Sequence, residues 1–186
     1  MMISVRKLAL LFFLVIFSCN SSSKNNIDNI VSISGKTMGT TYNIKFLPKS
    51  SNPEEIEKNY LQIEAILKDI NLQMSTYIAD SEISTFNRLE KTEWFKISQD
   101  FETVVRKSFQ YNKLSDGLYD ITIMPLVNLW GFGPAAFDSK PSKAEIDSVM
   151  TFIGQDLIEI DDLKIRKKDS RVQIDLSSIA KGFAVD

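Results

Sequence analysis

The residues most able to do chemistry in this 186-residue chain fall in a few short, separated stretches. In Asp175-Leu176-Ser177-Ser178-Ile179-Ala180-Lys181-Gly182 an acid, two hydroxyls and a cation follow the alternating run Val172-Gln173-Ile174. Strand, acid, hydroxyls and then a helix start is an order that builds phosphate and metal sites. In Leu118-Tyr119-Asp120-Ile121-Thr122-Ile123 the period of two puts Asp120 and Thr122 on one face of an apolar segment, where an acid is costly unless paired or liganded. Ser34-Gly35-Lys36-Thr37-Met38-Gly39-Thr40-Thr41 sets hydroxyls between glycines. It can bring backbone N–H groups to a ligand or form a simple hairpin or bulge, and it lacks the spacing of a Walker loop. Tyr77, just before a short helical turn at Ser81 to Ser84, either stacks on a planar ligand or fills a side pocket. Trp130 and Phe132 flank Gly131 and make either a platform for a flat ring or a rigid packed loop.

The elements that must position these groups are legible in outline. Ile30 to Ile33 and Tyr42 to Phe46 read as strands. Ser51-Asn52-Pro53-Glu54-Glu55 opens a helix whose buried stripe is Ile56, Tyr60, Ile63, Leu67 and Ile70, running to about Asn71. Thr92 to Ile97 reads as a strand. Ser98-Gln99-Asp100 starts a second helix that stops near Ser115-Asp116-Gly117. Leu118 to Ile123 has strand alternation. Pro141-Ser142-Lys143 opens a third helix ending by Gly154, and Leu157 to Ile160 and Lys164 to Lys167 form a hairpin around Asp161-Asp162. Helices and hairpins mix without regular βα alternation, so the expected class is α+β, with a mixed or antiparallel sheet and packed helices.

Composition narrows the function classes. The chain is 44% hydrophobic and 25% charged, with a net charge of −2, ordinary values for one globular domain. It has no histidine, which removes histidine acid/base chemistry and histidine-ligated zinc from these residues. With neither strong positive charge nor a basic cluster in the mature region, nucleic-acid binding has little support.

The N-terminal end reads as an export signal. Arg6 and Lys7 precede an apolar run from Leu8 to Phe17, too short to span a bilayer and right for a signal-peptide core. Ile16-Phe17-Ser18-Cys19 resembles the lipobox of bacterial lipoproteins, with Phe17 bulkier than usual, and Cys19 is the only cysteine. The expected organisation is a signal peptide at 1–18, lipidation at Cys19, a Ser/Asn-rich tether at 19–29 and a folded domain at 30–186. The alternative is an ordinary export signal with an incidental cysteine.

Four segments together resemble the ApbE family, the FAD:protein FMN transferases. They are Gly35 to Thr40; Ser75-Thr76-Tyr77 with Ser81-Glu82-Ile83-Ser84 and Phe86-Asn87; Gly117 to Thr122 continuing through Pro125 to Gly133; and Ile174 to Asp186. The specificity lies in their order and spacing. The match covers roughly residue 30 onward and the N-terminal half or more of the family domain, so an ApbE-like domain incomplete at its C-terminus is expected.

The resemblance implies a transferase that takes FAD as substrate, joins FMN through its phosphate to a threonine or serine hydroxyl of a target flavoprotein and releases AMP with the help of Mg2+. Some members hydrolyse FAD instead. It also implies a membrane-anchored lipoprotein facing the periplasm. Carried onto this sequence, Met38 contacts the flavin cofactor and Tyr77 packs on one of its rings. Leu118, Tyr119 and Asp120 line the nucleotide, with Asp120 accepting a hydrogen bond, and Trp130 shapes the ring pocket or its wall. Asp175 and Lys181 address the polar end of FAD, Lys181 near phosphate. Ala180, through its carbonyl, is the first metal contact and Ser178 the second candidate. The remaining metal ligands and the base belong to the family's C-terminal part, so these 186 residues are not expected to act alone. Two rivals remain: a lipoprotein that binds flavin or nucleotide without catalysis, and a purely structural domain at the membrane surface.

Overall fold

The computed structural model describes residues 30–49, 52–134 and 140–186. The expected signal peptide, Cys19 and the tether lie outside them. Among the described residues, no helix is long and apolar enough to cross a membrane.

The first two strands, β1 (Val31–Thr37) and β2 (Thr40–Phe46), form an antiparallel hairpin in which Thr37 pairs with Thr40. Only Met38 and Gly39 separate them, at φ 50° and 69°. Positive φ at both central residues matches the right-handed twist of the flanking strands and makes the tightest hairpin turn available. Gly35 sits opposite Tyr42, and a Cβ there would come within 2.7 Å of the Tyr42 ring. The ring is free to lie over the glycine, and its hydroxyl donates to Glu64, which holds the phenol up at about 12.

Glu64 belongs to α1 (Pro53–Met74). Asn52 caps this helix by accepting from the Glu54 N–H at 3.0 Å, and a proline opens it. The helix runs one turn beyond the expected end. Its apolar stripe is fully buried only at Ile70 and Met74, whereas Ile56, Tyr60, Ile63 and Leu67 are half-covered. Ser81 caps the short helix α2 (Glu82–Asn87), and Ser98 caps α3 (Gln99–Leu114). These two starts are tied together. The Glu82 carboxylate accepts from the Ser98 N–H at 2.7 Å, and burial raises its pKa above the ordinary carboxylate value.

The second sheet is antiparallel and ordered β3-β5-β4, from β3 (Phe95–Lys96), β4 (Ile158–Asp161) and β5 (Lys164–Lys167). The strand expected over 92–97 shrinks to Phe95 and Lys96, which pair with Ile165 and Lys164 of β5. Two further helices are α4 (Met124–Leu129), started by Pro125, and α5 (Lys143–Met150), opened by a capping box between Ser142 and Glu145. The last helix is α6 (Ser177–Val185).

Two expected strands do not form as strands. Leu118 to Ile123 and Val172 to Asp175 meet through one parallel bridge, Ile123 to Gln173, and one added bond from the Asp175 N–H to the Ile121 carbonyl at 2.8 Å. The alternation is real in the second segment, where Val172, Ile174 and Leu176 are buried, but not in the first, where Ile121 and Thr122 are buried together and Ile123 is exposed. The backbone between them is diverted into side-chain-capped turns. The core gathers Ile83 and Phe86 of α2, Phe101, Val104 and Val105 of α3, Ile165 of β5, and this bridged pair. Each such large side chain withdrawn from water stabilises the fold by about 1.5–3 kcal/mol. The fold is therefore a mixed α/β arrangement of antiparallel sheets and packed helices.

Candidate active site at the meeting of four segments

One cavity of about 880 Å3 opens where the hairpin tip, the α1–α2 junction, the Leu118–Thr122 turn and the start of α6 converge. Ligand sites commonly span about 300–1,000 Å3 and combine apolar walls with a few placed polar groups. Met38, Tyr77, Leu118, Tyr119, Asp120, Asp175, Ser178, Ala180 and Lys181 all line it. Trp130 does not. It follows α4 as its C-terminal cap, and Gly131 at φ 78° then turns the chain so that Phe132 and Gly133 reach the wall instead.

Each side chain has a local reason for its place. Met38 is delivered by the two-residue turn, and the hairpin is fixed to α1 where the Asn71 amide donates to Thr37 Oγ1 at 2.8 Å. Tyr77 stands on a serine-held loop. Ser81 Oγ accepts from the Ser84 N–H at 3.1 Å and donates to the Ser75 carbonyl at 2.6 Å. Tyr77 itself is exposed, and its hydroxyl donates to the Phe132 carbonyl at 2.9 Å, linking two walls. Leu118 and Tyr119 follow the glycine stop of α3. There the Gly117 N–H donates to the Asn112 carbonyl at 2.8 Å, and the Asn112 amide donates to the Tyr119 carbonyl at 2.7 Å. The Tyr119 hydroxyl and Ser178 Oγ share a hydrogen bond of 3.1 Å, joining the third wall to the fourth.

The two acids are built alike. Asp120 Oδ1 accepts from the Thr122 N–H at 2.8 Å and the Thr122 hydroxyl at 2.6 Å. Asp175 Oδ1 accepts from the Ser177 N–H at 2.7 Å and from the Ser177 hydroxyl. In both an Asx turn, reinforced by a hydroxyl two residues on, fixes the carboxylate through one oxygen. Thr122 is fully buried and also accepts from the Gly154 N–H at 2.7 Å, which anchors the Asp120 turn to the segment after α5. Asp175 stands at the N-terminus of α6, where unpaired N–H groups favour negative charge. Lys181 projects from the next turn of that helix and is exposed.

The sequence sets Thr122 and Ser177 beside the acids but does not show that each hydroxyl binds its acid. The repeated Asp-x-Ser/Thr spacing was the available signal. Met74, Val127 and Ile123 also line the cavity, and nothing in their types distinguished them from core residues.

Comparison with known proteins identifies the family. The model of the ApbE family matches residues 38–186. The chain is 41% identical over 185 residues to the FAD:protein FMN transferase of Haemophilus influenzae, covering 96% of the chain and 52% of that protein. It is 32% identical over 185 residues to the protein of the same name from Escherichia coli K12, with the same two shares. Among solved structures, the flavin transferase ApbE from Vibrio cholerae superposes with a TM-score of 0.78 at 40% identity, over 84% of this chain and 51% of that one. The apo flavinyl transferase ApbE of Pseudomonas stutzeri gives 0.76 at 34%, over 84% and 52%. The chain thus spans about half the length of the relatives it matches. By sequence and by fold, this chain belongs to the ApbE family.

Proposed function

We propose that the full-length protein cleaves FAD at its pyrophosphate and transfers the FMN half to a threonine or serine hydroxyl of a target flavoprotein, with AMP leaving and magnesium assisting. The observation that carries this reading is the single cavity in which apolar walls from the hairpin tip, α1 and the Phe132 loop meet two turn-fixed acids, a helix N-terminus and Lys181. Flat rings suit the apolar walls, and phosphates suit the helix N-terminus and Lys181.

In the proposed reaction the acceptor hydroxyl attacks the phosphorus on the FMN side. A new P–O bond forms as the bond to the bridging oxygen breaks. That oxygen and its electron pair leave on AMP, and the hydroxyl proton is released. Little covalent work falls to the protein, so positioning and charge neutralisation dominate. Met38 and Tyr77 contact the flavin. Leu118, Tyr119 and Asp120 hold the nucleotide, Asp120 through the oxygen not used by Thr122. Lys181 and the first N–H groups of α6 face phosphate, and Asp175 orders that polar end.

The described residues do not make a magnesium site by themselves. Among them no group of three His, Cys, Asp or Glu side chains could hold an ion. The Ala180 carbonyl and Ser178 hydroxyl offer fewer than the about six oxygens that magnesium takes.

The test incubates the full-length protein with FAD, magnesium and a target flavoprotein domain, with an EDTA arm. Flavin fluorescence on the denatured target together with free AMP is the expected result, lost in EDTA. AMP and free FMN without labelled target would mean FAD hydrolysis. Tight FAD binding with neither product would leave only a binding lipoprotein. We further propose a periplasm-facing lipid anchor at Cys19. Cys19→Ser should move the protein out of the membrane fraction, and a processed protein that stays there refutes the anchor.

A further inference from the structure

Asn87, the last residue of α2, reaches across the fold to a segment far away in the chain. Its Oδ1 accepts from the Ile174 N–H at 2.8 Å, and its Nδ2 donates to the Ile174 carbonyl at 2.8 Å. One amide side chain thereby satisfies both backbone groups of one residue, as a neighbouring strand would. The next residue is Asp175, whose own N–H donates to the Ile121 carbonyl at 2.8 Å. The backbone that carries Asp175 is therefore gripped from two sides, by a side chain of α2 and by the turn that carries Asp120.

The grip has a second layer. Lys167 of β5 is fully buried, and its Nζ donates to the Asn87 carbonyl at 3.2 Å and the Val172 carbonyl at 3.1 Å. The ammonium also lies 5.5 Å from the centre of the Phe86 ring. Asn87 itself does not line the cavity. Val172, Ile174 and Leu176 already bury their side chains in the core, so their apolar contacts secure the segment against the fold. What the amide adds is control of its rotation and height, which set where the Asp175 carboxylate stands.

We infer that Asn87 is a positioning residue that acts on FAD through Asp175, an inference that rests on the function proposed above. A group that acts only by holding another loses its effect when the other is already disabled, so a double-mutant cycle separates positioning from general support of the fold. FAD is titrated into the full-length protein with and without magnesium and followed by flavin fluorescence. The proteins are wild type, Asn87→Asp, Asn87→Ala, Asp175→Asn and the two double variants, with circular dichroism and gel filtration as controls. Asn87→Asp is nearly isosteric and keeps the acceptor for the Ile174 N–H but sets an oxygen against the Ile174 carbonyl. Each Asn87 variant is expected to weaken FAD binding by about tenfold in the wild-type background and by less than about twofold with Asp175→Asn. Equal losses in both backgrounds overturn the proposal, and so does a chain that folds with neither Asn87 variant, since the amide then serves the fold as a whole. Wild-type protein that binds no FAD overturns the functional reading beneath it instead.

Discussion

Lys167 gives the most demanding test of the packing. A buried ammonium with only carbonyls and a ring for company is held at the expense of hydration, and burial pushes its pKa from 10.5 down to about 8 against a smaller opposing pull from Asp169. Below about pH 8 the folded and unfolded chains both carry the proton. Between about 8 and 10.5 the unfolded chain keeps it and the folded chain does not, so folding releases a proton and stability rises with pH. Above 10.5 both are neutral and the contribution is constant. At about 1.4 kcal/mol per pKa unit the whole window is worth up to about 3 kcal/mol. The assay is urea unfolding of wild type and Lys167→Met at pH 7, 8, 9 and 10, with the difference between the two proteins cancelling other titrations. Wild type should gain on the variant by about 1 kcal/mol per pH unit above pH 8. At pH 7 the variant should still be the less stable, because it strands the Asn87 and Val172 carbonyls without a donor. A difference that stays flat from pH 7 to 10, or falls, would show that the ammonium keeps its proton at high pH and that the burial argument is wrong.

Other outcomes follow from single contacts. Phe101→Ala, at a fully buried position of α3, should lower unfolding free energy by about 3–5 kcal/mol in the same urea assay. Ser81→Ala removes a helix cap and a bond to the Ser75 carbonyl, and should lower it by about 1–2 kcal/mol. Tyr77→Phe should change stability by less than about 0.5 kcal/mol, because the side chain is exposed. The same variant should speed flavin release in stopped-flow fluorescence, since it cuts the link from Tyr77 to the Phe132 carbonyl; an unchanged rate would mean the link does not restrain the ligand.

What was readable from sequence follows a physical rule. Local signals held: Ser98 and the glycine at 117 bracket α3, and Asn52 and Pro53 start α1. These ends depend on a handful of adjacent residues and little else. Local hairpins, β1 with β2 and β4 with β5, also form as the sequence indicates, whereas pairing between distant segments does not: Leu118 to Ile123 and Val172 to Asp175 share only one bridge. The alternation at Leu118 to Ile123 does not mark burial, because Ile121 and Thr122 are buried side by side while Leu118 and Ile123 are exposed, and the Asp120 carboxylate bonds the Thr122 N–H and hydroxyl and so competes with the ladder. The site was partly legible because its polar groups are anomalous in apolar surroundings. Its apolar walls were not, because Met74 or Val127 facing a cavity has the same residue type as one facing the core. Trp130 and Phe132 could not be ranked for a similar reason: a single backbone reversal at Gly131 decides which of them turns inward.

The pairing of Asn87 with Ile174 joins residues 87 positions apart. Such a closure carries a large entropic penalty that local helices such as α1 and α3 do not face. The helices can therefore be made early, while the binding cavity cannot exist until the chain has been delivered as far as Ser178, whose hydroxyl completes the last link to Tyr119. During synthesis this orders events in time: the four walls of the cavity are complete only once nearly all of this region has been made.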